Sequence, residues 1–425
     1  MKTIILFSLL TILSSGCFYK SDWTIFRGNQ GKGRTWRSIS PPLGIKWKLK
    51  LQNKSSKART FNPPVIQENT VYFGSADNNF YALDIESGYM NWVYETSAPI
   101  NSLPTFDKEN VYFGSSNGTV YAVSKETGKE KWSFDSRGGV NCSLIKYKNK
   151  IIFTSDEDST YFLSSKTGRK AMSLRNPIWS ANSFQIYKDV IYFAPGPLEV
   201  NYGLSLGAYD IKKMAFLWTL DVPVEGAVWI SFAAVEKKLI FYGTCKTTDG
   251  QNWIFNFIAK NRLTGKTVWE NADTPSFGKK NPFNPATLFD ENVELLDYLA
   301  PAIVDNTIIY TCGDSLVRAF DIKTGKVLWT TEFPLPASSA PIIAGNRVYF
   351  GIRGVYPDKY KNKQKIKKFY GKEIPSKLVC LSAKSGHLLW EMEIEGDILS
   401  APVIAGKWMI FGTDQNFFYI LEEVY

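Results

Sequence analysis

The sequence predicts an all-β fold, an eight-bladed β-propeller of four-stranded antiparallel blades. Three observations predict it. One segment recurs at a forty-residue step: Val71–Trp92, "VYFGSADNNFYALDIESGYMNW", then Val111–Trp132, then Ile151–Met172. Each copy alternates apolar and polar residues between Gly/Asn/Asp turns, the pattern of short strands. The copies also close on themselves, because the last one lacks a final strand that the N-terminal region supplies. Repeats of about forty residues with four strands each are the signature of propeller blades.

Taken in order, the strand starts fall at residues 71, 111, 151, 191, 239, 308, 348 and 409, and the blade ends at 47, 92, 132, 172, 218, 269, 329 and 390. In several blades the first strand follows a Pro-containing lead, as in "NPPVIQ", "SLPTFD", "APAIVD", "SAPIIA" and "SAPVIA". A tight turn, then "VYFG", then a Gly/Asn/Asp turn, then "YALD" give the second and third strands. A "TGK" turn leads into the fourth. The copy from Met409 stops before its end residue, while "LGIKWKLK", Leu43–Lys50, carries that end residue before the first full copy. Pairing these two segments closes the ring and removes an open sheet edge. The ring is therefore placed at residues 43–425, after a leader at 1–16 and an anchor and lead-in at 17–42.

Seven of the eight blade ends are tryptophans: Trp47, Trp92, Trp132, Trp218, Trp269, Trp329 and Trp390. Each is expected to dock its blade on the next, a role worth about 3–5 kcal/mol against truncation to alanine. Met172 replaces the eighth and predicts a looser seam. Gly88, Gly128, Gly168, Gly265, Gly325 and Gly386 occupy the turn before the fourth strand, where glycine takes φ > 0 without a Cβ clash. Met214 stands at that place in blade 4, so its turn is expected to differ. "DIKTGKVLW", Asp321–Trp329, is one of these turns and not a phosphate loop, which needs G-x-x-x-x-G-K-[ST] between a strand and a helix.

The start of the chain reads as an export signal. Lys2 precedes a ten-residue apolar core, Ile4–Leu13, too short to span a bilayer. "SSGC", Ser14–Cys17, resembles the lipobox of bacterial lipoproteins, which implies acylation of Cys17 and attachment to a membrane. Phe18, not Asp, follows the cysteine; resemblance to sorting in enteric bacteria then implies the outer membrane. Cys142, Cys245, Cys312 and Cys380 form no C-x-x-C pair, and buried free thiols are expected of them. A single histidine, His387, argues against His-based metal sites and triads. The net charge of +10 permits an acidic partner.

The repeat "VYFGS-x-(D/N)-x-x-x-YALD-x-x-(T/S)-G-x-x-x-W" resembles that of the quinoprotein-like (PQQ-like) propellers over residues 43–425. "DWTIFRGNQGKGRT", Asp22–Thr35, is similar to the segment before the first blade in many of them. Joined to a lipobox, the ring resembles the outer-membrane assembly lipoproteins of that family. The resemblance implies a non-catalytic scaffold for protein–protein interaction. It would be a monomer within a complex, with a β-barrel assembly machinery subunit as partner, lipid-anchored to the outer membrane and facing the periplasm. The dehydrogenases of the family bind pyrroloquinoline quinone over the central channel. Their features include an adjacent Cys–Cys disulfide, a Trp floor, calcium held by carboxylates and amides, and an Asp base. This chain has no adjacent cysteines, and its acidic "TSDEDST", Thr154–Thr160, falls in an ordinary blade turn. No catalytic, cofactor or metal residues are assigned, and neither the quinone nor calcium is expected. A periplasmic quinoprotein-like enzyme is the alternative.

The insertions that break the repeat are the candidate interaction elements, because loops on a rigid scaffold commonly carry function. Residues 51–62 and 270–298 are read as blade connections, and 195–207, 244–252 and 353–377 as loops between second and third strands, all on one face. The 353–377 segment holds nine Lys/Arg and two Asp/Glu, net +7, and 270–298 is net −4. Lys359, Lys361, Lys363, Lys365, Lys367, Lys368 and Lys372 are the candidate partner-binding residues, for an acidic protein or anionic headgroups. Tyr356, Tyr360, Phe369 and Tyr370 among them would suit nucleic acid, but export removes that partner.

Overall fold

The computed structural model describes residues 23, 27–28, 31–35, 37–51, 63–157, 159–175, 184–193, 205–221, 227–230, 233–247, 253–273, 300–311, 315–355, 371–398 and 401–424. They form eight sheets, six of four strands and two of five, antiparallel throughout except for one added edge strand. Blade 1 is typical: Val65–Gln67, Thr70–Gly74, Asn79–Asp84 and Met90–Glu95 pair in sequence order. The "VYFG" strand is buried along almost its whole length, as in Thr70–Gly74, whereas the fourth strand alternates, as in Val327–Glu332. That is the expected difference between strands covered on both faces and a strand at the rim.

The ring closes as the residue count requires. Leu43–Lys50 pairs antiparallel with Phe417–Glu423, from Leu43 opposite Glu423 to Lys50 opposite Phe417. Blade 8 is thus built from both ends of the repeat array. Where other blades have a covalent turn between third and fourth strands, this one has a hydrogen bond from Val424 N to Pro42 O (3.0 Å).

All eight pairings of third and fourth strands carry a register shift beside the blade-end residue, for example between Ile45 and Trp47 and between Glu130 and Trp132. A bulge adds twist and re-aims the next side chain. Here that side chain is the blade-end ring. Apolar periodicity alone does not report a one-residue bulge.

Several of the expected insertions are partly strand. Blade 5 has a long hairpin, Leu239–Thr247 with Trp253–Asn261, so residues 244–247 extend the sheet instead of looping out. Its fourth strand, Thr267–Asp273, takes in Glu270 and Asp273, and Ser205–Asp210 takes in residues 205–207. In each case the ladder satisfies backbone groups that a loop would leave to water.

The lead-in crosses the mouth of the central channel. Trp23, 3% exposed, pairs with Ile66 on the innermost strand of blade 1. Gln185 Nε2 on blade 4 donates to Gly31 O (3.0 Å), and Ile303 N on blade 6 donates to Lys32 O (2.9 Å). Lys32 Nζ reaches Glu236 of blade 5 at 2.5 Å. Arg34–Thr35 then adds as a parallel fifth strand beside Ile342–Ala344 of blade 7. Nearly all these contacts fall in the last two residues of innermost strands, next to the turn into the second strand. The plug therefore sits at one mouth, on the face that also carries the "TGK" turns. Within it Arg27 is 1% exposed, and its Nη2 donates to Pro301 O (2.6 Å). Burial lowers its pKa to about 9, which leaves it protonated at neutral pH.

Candidate functional site

Blade docking follows one geometry on the turn face. The indole N–H of Trp47 donates to Ile85 O (3.0 Å) in the next blade. Trp92, Trp132, Trp218, Trp269 and Trp329 do the same to Lys125, Ser165, Arg262, Ile322 and Ala383, at 2.7–3.1 Å. Each accepting carbonyl belongs to the turn that holds the recurring glycine. Trp390 packs against the core cluster shared by blades 7, 8 and 1.

The glycine has a second reason to be there. A Cβ on Gly88, Gly128, Gly168, Gly265, Gly325 or Gly386 would lie 2.5–3.0 Å from the ring of the preceding blade's tryptophan. Gly325 shows both constraints, with φ +70° and Trp269 at 2.5 Å. The indole lies flat on a backbone that only glycine leaves bare.

The seam between blades 3 and 4 is the departure. Met172 faces blade 4, whose turn holds Met214 instead of glycine. That turn keeps the left-handed conformation, with Met214 at φ +54° and 63% exposed, but differs in its ladder, which runs one pair further, to Asp210 opposite Ala215. Without an indole beneath, a Cβ fits there, although the backbone strain remains. The blade-end tryptophans of blades 1, 2, 4, 5 and 6 pair with alanine across the bulge, as Trp92 does with Ala82, but Met172 pairs with Phe162. Phe162 is fully buried in the cluster that Met172 packs against. The aromatic volume has moved one strand inward. Across the same seam Asp189 accepts from Tyr147 and pairs with Lys148 (3.2 Å) and Lys212 (2.5 Å). Lys212 first, then Tyr147, hold its carboxyl well below the usual carboxylate range. The signal for this coupled change was in the sequence: Phe162, Met172 and Met214 all break the repeat around one seam.

The opposite face carries the insertions. The lysine-rich one leaves the ring after Arg347–Ile352 and returns at Ser376–Ser382. Val355 and Ile374 pair at its base through two backbone hydrogen bonds (2.8 and 3.2 Å). Asp397, fully buried in the connection to blade 8, ties both feet: its Oδ1 accepts from Gly354 N (2.7 Å) and Ser376 Oγ (2.5 Å). Its Oδ2 lies 3.7 Å from Nε of buried Arg353, and its own N–H donates to Asp414 (2.8 Å). Nothing in the repeat pattern marks Asp397, because its partners are far apart in sequence. Lys372 is exposed beside this base; Lys359, Lys361, Lys363, Lys365, Lys367 and Lys368 lie outside the described residues, as do Cys17 and residues 274–299.

Among the described residues no three His, Cys, Asp or Glu side chains come together to hold a metal ion. Cys142 and Cys380 are free and buried, and burial pushes both thiols up to about 11. No helix among the described residues is long and apolar enough to cross a membrane. A groove of about 750 Å³ between blades 1 and 2 is lined by charges of both signs, among them Glu68, Lys108, Glu109 and Lys125.

Comparison with known proteins places this architecture. The family model for outer membrane protein assembly factor BamB matches residues 44–104, 96–243 and 255–354. The crystal structure of BamB from Moraxella catarrhalis superposes with TM-score 0.62 at 11% identity, covering 89% of this chain and 99% of that one. The quinohemoprotein alcohol dehydrogenase of Comamonas testosteroni superposes with TM-score 0.66 at 14% identity, over 95% and 80% of the two chains. The computationally designed Ika8 protein does so with TM-score 0.62 at 14% identity, over 92% and 100%. At these identities the likeness is one of fold, which hosts enzymes and scaffolds alike. No curated protein sequence matches significantly.

Proposed function

The chain belongs to the family of outer membrane protein assembly factor BamB, and from that premise we propose that it is a non-catalytic scaffold for protein–protein interaction. In this reading Cys17 carries the lipid that holds it to the periplasmic side of the outer membrane. The partner is a subunit of the machinery that assembles β-barrel proteins there. The observation that carries the reading is the insertion base. A buried carboxylate, Asp397, fixes both feet of a segment of net +7 on a rigid ring. Fixed feet lower the ordering cost of presenting a loop to a partner, and its charge suits an acidic protein surface.

In this reading the chain holds neither quinone nor calcium. The scaffold reading routes no chemistry through such a group. Affinity capture of the full-length protein from detergent-solubilised membranes tests the reading. Recovery of a barrel-assembly subunit is the expected result. Capture without one, together with a quinone absorbance after incubation with pyrroloquinoline quinone and calcium, would replace it with the enzyme.

A further inference from the structure

We propose that the turn face of the ring, the mouth closed by the N-terminal plug, lies against the membrane and binds anionic phospholipid headgroups. Two independent observations lead there. The first is the tether. Trp23 is fixed beside Ile66 at the plugged mouth, six residues after Cys17. Six extended residues reach about 20 Å at most. To reach a membrane under the insertion face, the linker would have to cross three strand spacings to the rim, about 14 Å, and then descend a strand of about 17 Å. Through the channel a descent of about 17 Å would take most of that reach. The insertion face therefore points away from the membrane. The orientation rests on the acylation of Cys17 proposed above; the charge argument does not.

The second observation is charge. The turns between first and second strands (68–69, 108–109, 148–149, 188–189, 237–238, 305–306, 345–346, 406–407) and between third and fourth (85–89, 125–129, 165–169, 211–215, 262–266, 322–326, 383–387) all lie on this face. Apart from buried Arg262, they hold sixteen Lys/Arg against six Asp/Glu, net +10. Pairs within the face, such as Lys407 with Glu86 and Lys212 with Asp189, leave that excess in place. The rim, which the tether could also reach, is different: the eight fourth strands hold six Lys/Arg against nine Asp/Glu, net −3. The turns between second and third strands in blades 1, 2, 3 and 8 (75–78, 115–118, 156–157, 413–416) hold Asp77, Asp156, Glu157 and Asp414 and no Lys or Arg; the described basic residues elsewhere on that face include Arg137, and buried Arg353 and exposed Lys372 at the feet of the lysine-rich insertion. A basic ring held close to a bilayer attracts anionic lipid within a Debye length.

The test uses the full chain in two arms. In the first, protein with Cys17→Ser is sedimented with phosphatidylcholine vesicles, with and without phosphatidylglycerol, at low salt. Binding is expected only with phosphatidylglycerol. Reversing Lys166, Lys213, Lys238 and Lys323 to Glu together is expected to weaken it at least about tenfold, with an unchanged thermal melt. Binding indifferent to phosphatidylglycerol, or to the four reversals, overturns the proposal. In the second arm, acylated protein labelled at Lys323→Cys or Gln415→Cys is placed on vesicles containing an acceptor dye. Stronger energy transfer from position 323 is expected; equal or reversed transfer overturns the orientation. A protein without acyl mass on Cys17 would instead refute the anchor reading, and the first arm would still decide the lipid surface.

Discussion

The two faces of the ring are held together in different ways. On the turn face the same device recurs from blade to blade, an indole lying on a glycine and hydrogen-bonded to the turn beyond it. On the insertion face the seam of blades 7 and 8 depends on one unrepeated cluster around Asp397. The repeated device is shared by many seams, so one change weakens a seam and leaves the ring. The unrepeated cluster has no duplicate, and it stands under the segment that the scaffold reading assigns to the partner. Regularity carries the architecture, and the departure from it carries the candidate function.

The sharpest way to break this contrast is Asp397→Ala. It leaves the Arg353 guanidinium buried without its carboxylate, and a loss of about 3–5 kcal/mol in urea unfolding is expected. Replacing both partners by apolar residues, Arg353→Met with Asp397→Leu, should recover only part of that loss, because the Gly354 and Ser376 donors stay unpaired, and should still fail in partner capture if the feet of the insertion matter. Next comes Trp329→Ala, expected to cost about 3 kcal/mol. Gly325→Ala should cost about 1–3 kcal/mol. In a double-mutant cycle with Trp269→Ala its cost should fall, because half of it is contact with that ring.

The exceptional seam sharpens the comparison. Met172→Trp alone should overpack against Phe162 and cost about 1–3 kcal/mol, while Phe162→Ala, Met172→Trp and Met214→Gly together should return the melt to the wild-type value. The smallest effect is a gain: Met214→Gly relieves a left-handed methionine and should stabilise by about 1 kcal/mol.

These residues also show what was legible in the sequence. The blade count, the strand order and the closure by Leu43–Lys50 follow from periodicity and turn chemistry, which are local. The tryptophan and glycine positions were legible as a pattern, but their contact was not, because the two belong to different blades about forty to sixty residues apart. At the Met214 turn the left-handed conformation persists without glycine, and the loss of the indole at Met172 is what makes room there. The extension of the blade 5 hairpin was hidden because a strand leaving the ring and a loop leaving it have similar composition. Asp397 and the plug were illegible for a stronger reason. A buried ion pair and a segment lying across five blades are defined by partners the chain brings together only when it folds.

Division of labour between the faces is the central claim, and photocrosslinking in native membranes tests it most directly. A photoreactive residue at Glu373, exposed beside the insertion base, is predicted to capture a subunit of the barrel-assembly machinery, and one at Lys323 on the turn face to capture lipid. Capture of the subunit from position 323, with only lipid captured from position 373, would contradict the account.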